Sequence, residues 1–204
     1  QAFGDDLKKD PVAIAVVMVG AWDRIGVRDS AGNRVMVGTP AWKKEYAARA
    51  DRLLRTLRQA KVAVYLAGLP GGPQMGANED AQMMNDILRE RAYLNGAKYI
   101  DTFADFADEN GGFSQWGPDI TGKIVRLRLK DGVYFTPAGN QKLAHFVERE
   151  LRRDLNQAKA NRNIPLAGGE DEQARINPDK ARLAPEGGSK AQPGAAPAMA
   201  GGMG

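Results

Sequence analysis

Cysteine is absent from the 204 residues, which rules out disulfides, thiolate metal ligands and a cysteine nucleophile. Histidine occurs once, at His145, so any mechanism needing an imidazole base has a single candidate. No apolar run approaches the ~20 residues of a membrane-spanning helix. The longest, Val12 to Val19, falls far short, and no membrane span is expected. Phosphate-cradling motifs are missing too: no G-x-G-x-x-G follows a strand and no G-x-x-x-x-G-K-[ST] occurs. Nucleotide binding is therefore not expected, and no cofactor or metal is implied. The chain begins at Gln1 without a signal-like segment before its first strand, so a fragment lacking native sequence upstream is expected.

What is present is ordinary for a globular protein. Apolar residues at 43% and charged residues at 26% can supply one sizeable core over this length. A formal charge of +4 and a pI near 9.3 raise the question of nucleic acid. The basic residues are interleaved with acids, as in Lys43-Lys44-Glu45 and Glu148-Arg149-Glu150, which reads as a solvated helix face. No nucleic-acid partner is expected.

Along the chain, strands alternate with helices. Val12 to Val19 is a β-branched apolar run ending at Gly20, expected to be a strand buried on both faces. Thr39-Pro40 opens a helix as N-cap and first helical residue, and Trp42, Tyr46, Ala50, Leu53, Leu54 and Leu57 then form one apolar face. Val62 to Ala67 reads as a second buried strand. A helix from about 78 to 95 follows, with Met84, Ile87, Leu88 and Arg91 on one side and Gly96 as its stop; Met83 and Met84 read as helix core. Lys98 to Asp101 is a shorter strand, 110–121 a turn-rich insertion, and Ile124 to Leu129 an alternating, half-exposed strand. Thr136-Pro137 opens the last helix, whose expected core face is Leu143, Ala144, Val147, Leu151 and Leu155. This order predicts an α/β fold, a three-layer α/β/α sandwich with a mostly parallel, flavodoxin-like sheet, incomplete at its N-terminus. Residues 1–155 form the domain. From 156 to 204 aromatics vanish and Gly, Pro, Ala and charge dominate, which predicts a disordered tail.

In such sheets ligands bind at the carboxyl ends of strands. That rule gathers the loops Gly20-Ala21-Trp22-Asp23-Arg24, Gly68-Leu69-Pro70-Gly71-Gly72, Asp101-Thr102 and Asp131-Gly132-Val133-Tyr134. Their sequences resemble the SGNH (GDSL-type) hydrolase superfamily, and within it a bacterial envelope branch described as a domain of unknown function. The resemblance rests on Gly-Ala-x-Asp-Arg, Gly-Leu-Pro, Tyr-Ile-Asp-Thr, and Leu-Arg-x-x-Asp-Gly-Val-x-Phe-Thr-x-Ala-Gly followed by Lys-Leu-Ala, in that order from Pro11 to Leu155.

The resemblance implies hydrolysis or transfer of O-acyl esters, often on carbohydrate, in the periplasm or cell envelope. Members use a serine nucleophile, an oxyanion hole built from a glycine and an asparagine, and an Asp-x-x-His pair as orienting carboxylate and base. Carried over, Gly20 and Asp23 match, but Trp22 stands at the asparagine position. Asp131 matches the carboxylate, while Tyr134 stands at the histidine position; a phenol with a pKa of about 10 is a poor general base. The serine block is missing. Gly4-Asp5-Asp6-Leu7 imitates it, but Asp6 occupies the serine place and no strand precedes it. The chain by itself is expected to be inactive.

Other readings remain open at this point. His145 is expected on the exposed side of the last helix, with Lys142, Arg149 and Arg152. Asp23-Arg24 either binds an anionic or sugar ligand or forms a buried pair. Asp131 with Arg126 or Arg128 is either a site or a structural pair. Trp22 either lines a pocket, stacking on sugar, or packs. Two functions follow: an ester hydrolase acting on acylated carbohydrate, or a non-catalytic glycan- or partner-binding module of the envelope. A third, weaker option is a scaffold joined to partners by the tail.

Overall fold

The computed structural model describes residues 2–160. After helix α1 (Ala2–Lys9), a three-stranded parallel sheet is built from β1 (Ile14–Val17), β4 (Ala63–Ala67) and β5 (Lys98–Ile100), in the order β1-β4-β5. Ile14 is in register with Ala63 and Val17 with Leu66; on the other side of β4, Tyr65 faces Lys98 and Ala67 faces Ile100. The hairpin β2 (Val27–Arg28) and β3 (Arg34–Val35) follows β1, and the hairpin β6 (Trp116–Pro118) and β7 (Ile124–Arg126) follows β5.

Helices α2 (Pro40–Gln59) and α3 (Ala77–Asn95) cover one face of the sheet, and α4 (Pro137–Ala160) the other. The period of two along β4 produces this layering. Val64 and Leu66 pack into the large core with Trp42, Leu54, Leu57, Met84 and Leu88, whereas Tyr65 turns to Ile100 and Val147. Each of those large side chains, once fully buried, contributes roughly 1.5–3 kcal/mol. The fold is therefore mixed α/β with a parallel central sheet between helical layers, as the alternation of elements predicts.

Local signals place the helix starts. The Thr39 hydroxyl accepts the Trp42 N–H at 3.2 Å with Pro40 at the first helical position. The Thr136 hydroxyl accepts the Gly139 N–H at 3.1 Å. Helix α3 stops before Gly96, and Met83 and Met84 both pack into the core.

Three expectations need correction. β1 is not buried on both faces: Val16 is 50% exposed, because β1 is an edge strand and α4 packs over β5 and β7 instead. The phase of α4 also differs. Val147 is buried, but Ala144 and Leu155 are exposed, while Lys142 and Asp154 are buried. Polar partners turn the helix: Asp154 takes the Lys98 ammonium at 2.5 Å and the Tyr65 hydroxyl at 2.9 Å, and Lys142 lies 5.3 Å from the Phe106 ring centroid. Ile124 to Leu129, finally, does not join the parallel sheet. It yields the short β7, paired antiparallel with β6.

The β2–β3 hairpin has no hydrophobic alternation to announce it; the Asp29 carboxylate closes its turn by accepting the N–H groups of Ala31 at 3.0 Å and Asn33 at 2.8 Å. Helix α4 continues through 156–160, where the sequence places the start of a disordered tail. The remainder of that segment, 161–204, lies outside the described residues. Among the described residues no helix is long and apolar enough to cross a membrane.

Candidate functional site

Parallel strands carry the loops after β1 and β4 to the same edge of the sheet, and a cleft of about 510 Å³ opens there. Gly20, Trp22, Asp23 and Arg24 form one wall; Leu69 to Gly72 form the second; Arg128 and Gly132 to Phe135 form the third. Met84 and Ala81 of α3 and Leu143 of α4 add apolar surface. Three of the four loops gathered from the sequence thus meet in one cleft.

The fourth loop does not reach it. The Thr102 hydroxyl is buried and donates to the Gly68 carbonyl at 2.6 Å, and Asp101 pairs with Arg89 at 2.8 Å. This loop braces the second wall from behind. Asn85, buried on α3, braces it again, accepting the Leu69 N–H and donating to the Leu69 carbonyl, each at 2.7 Å. Nothing in the local pattern marks Asn85, because its role depends on a backbone strand that is distant in sequence.

The first wall turns sharply at Gly20. With φ at +113° and the Tyr46 hydroxyl, Met84 and Leu69 crowded behind it, this position has no room for a side chain. The Trp42 indole N–H then fixes the loop by donating to the Asp23 carbonyl at 3.1 Å, while its ring stacks on Tyr46 at 4.7 Å. Trp22 is 57% exposed and stands on the rim, free to cover a ligand. Arg24 pairs with Asp80 of α3 at 2.9 Å, not with its neighbour Asp23. Burial raises the Asp23 carboxyl above its ordinary value, opposed by the charge of Arg49. Burial also pushes the Tyr46 hydroxyl well above the usual phenol range, and that hydroxyl has no hydrogen-bond partner among the described residues.

On the third wall, the Asp131 carboxylate and the Tyr134 phenol are not hydrogen-bonded to each other. The Asp131 carboxylate accepts the backbone N–H groups of Val133 at 2.8 Å and Tyr134 at 3.0 Å, and these bonds hold its carboxyl below the ordinary value. It closes its own turn and does not line the cleft. The Tyr134 side chain does line it, 55% exposed. His145 is exposed on α4 and is not among the lining residues, as its sequence phase indicates.

Arg128 is the residue that the sequence pattern misplaces. Alternation from Ile124 to Leu129 puts it on an exposed face, yet it is 3% exposed because β7 ends at Arg126 and the chain turns inward. One guanidinium nitrogen, Nη2, donates to the carbonyls of Gly132 at 2.6 Å and Val133 at 3.2 Å. The guanidinium sits 4.7 Å from the Phe135 ring centroid and 5.7 Å from that of Phe113. Burial lowers its pKa to about 10, which leaves it cationic at neutral pH. No direct ion pair joins it to Asp131 among the described residues.

Chemically, the cleft offers apolar surface, an exposed indole, a phenol and a buried guanidinium. It assembles no hydrogen-bonded acid–base pair from Asp131 and Tyr134. No curated protein matches the chain. A family model described as a protein of unknown function (DUF459) matches residues 1–150, spanning all of the parallel sheet and the cleft, and the chain belongs to that family.

Proposed function

We propose that this chain is an SGNH-like domain whose cleft binds an acylated carbohydrate of the bacterial envelope without hydrolysing it. The observation that carries this reading is the commitment of the Asp131 carboxylate to its own turn, beside a tyrosine at the base position. An ester hydrolase needs a base within hydrogen-bond reach of its nucleophile and a carboxylate orienting that base. Here the loops that would carry these groups instead build a mostly apolar cleft with Trp22 on its rim, a suitable platform for a sugar ring or acyl group. Calorimetry with tetra-O-acetylglucose bearing a free primary hydroxyl tests it. Saturable binding is expected, weakened about tenfold or more by Trp22→Ala. Unchanged binding by that variant removes Trp22 from the role.

A second reading is favoured by the outer edge of β1, which pairs with no further strand among the described residues and where Val16 is half-exposed. A further strand laid there, carrying a serine from outside these 204 residues, would bring a nucleophile to the cleft for ester hydrolysis or acyl transfer. Labelling of that serine by a fluorophosphonate probe in the full-length protein tests it, and absence of labelling counts against it.

A further inference from the structure

The buried guanidinium of Arg128 has unused capacity. Its Nε and Nη1 are buried and have no hydrogen-bond partner among the described residues, although Arg128 borders the cleft. The rings of Phe135 and Phe113 stabilise its charge but provide no acceptor oxygen, and Nη2 is already engaged by the Gly132 and Val133 carbonyls. Buried guanidinium N–H groups without acceptors are costly, and carboxylate oxygens are among their strongest partners. The other cation of the cleft is different: Arg24 already has Asp80 as its counter-ion. Asp131 attracts Arg128 through space, but its Oδ1 accepts two backbone N–H groups and neither carboxylate oxygen bonds Arg128 directly among the described residues. One cation in the cleft wall is therefore left without a directly bonded anion.

We infer that the ligand of this cleft carries a carboxylate, as an acidic sugar does, and that Arg128 recognises it. The inference rests on the cleft being the ligand site proposed above, and it narrows the ligand from acylated carbohydrates in general to acylated uronic acids. Apolar surface from Leu69, Met84 and Leu143 would receive the acyl groups while the carboxylate turns towards Arg128.

The test compares two probes on the unaltered protein at neutral pH: tetra-O-acetylglucuronic acid, and tetra-O-acetylglucose with its free primary hydroxyl. They differ only in the carboxylate. The charged probe is expected to bind about tenfold more tightly or better. Arg128→Gln should abolish that preference while still binding the neutral probe. Arg128→Lys, which keeps the charge and loses the planar fork, should retain part of it. Because the wild-type comparison needs no variant, a misfolded Arg128→Gln protein leaves the inference testable. Equal affinity for the two probes overturns the inference and leaves the cleft reading standing; failure of both to bind overturns both.

Discussion

Asp131 meets Tyr134 at the tyrosine's backbone amide and not at its phenol: the Asp131 Oδ1 accepts the Tyr134 N–H at 3.0 Å, and Tyr134, 55% exposed, lines the cleft. A carboxylate that in a catalytic arrangement would orient a base is here the closure of a turn. That relationship gives the Asp131 side chain a structural role in its loop.

Asp131→Asn and Asp131→Ala should differ in consequence. The asparagine retains an acceptor oxygen for the Val133 and Tyr134 amides and should lower the melting temperature only slightly, whereas alanine leaves both amides without it and should lower it more. Thermal melts followed by circular dichroism separate the two. A null difference would mean that the turn holds without the side chain.

Acid stability should follow the same bonds. The carboxyls of Asp131 and Asp119 are held below their ordinary value by hydrogen bonds within their turns. Depressed folded pKa values add stability that is present above the unfolded pKa of about 3.9 and is lost as pH falls through the folded values. Asp131→Asn should therefore flatten the acid limb of a stability-against-pH curve. A limb of unchanged steepness contradicts the assignment.

Gly20→Ala should be among the most damaging small substitutions in the chain. The added methyl falls on the Tyr46 hydroxyl and close to Met84 at 3.1 Å and Leu69 at 3.3 Å, in a backbone conformation that L residues rarely adopt. Strain and overpacking together should cost about 2 kcal/mol or more, read from denaturant unfolding. A cost under about 0.5 kcal/mol would show that the loop relaxes freely.

The buried Lys98–Asp154–Tyr65 group invites a parallel measurement on the opposite face of the sheet. Asp154→Ala removes the nearer acceptor of the Lys98 ammonium, which keeps Glu150 at 3.4 Å, and one acceptor of the Tyr65 hydroxyl, and should destabilise the fold by about 2 kcal/mol. Adding Lys98→Met to that variant should recover part of the loss, since it removes a partly buried charge that has lost its nearer counter-ion. Urea unfolding of the single and double variants reads both effects.

Much of this was legible in the sequence, for identifiable reasons. The Thr39-Pro40 and Thr136-Pro137 starts, the buried β4 and the convergence of the Gly20, Gly68 and Gly132 loops follow from local chemistry and strand order. What escaped depends on partners distant in sequence. Lys142 and Asp154 look like surface residues until Phe106, Lys98 and Tyr65 are placed beside them. Arg128 looks like the outward residue of an alternating strand until the strand ends two residues earlier. The apolar run Val12 to Val19 suggests full burial, but burial of a strand is a property of its neighbours, and among the described residues β1 has only β4 beside it.

The most direct test of the central claim is acetate release from tetra-O-acetylglucose by the purified protein, measured beside calorimetry on the same sample. Binding without turnover predicts a saturable heat of binding that Trp22→Ala weakens about tenfold or more, with acetate appearing no faster than in buffer. Saturable acetate release that Tyr134→Phe or Asp131→Asn abolishes would contradict it, and would make the Asp131–Tyr134 loop a working catalytic element.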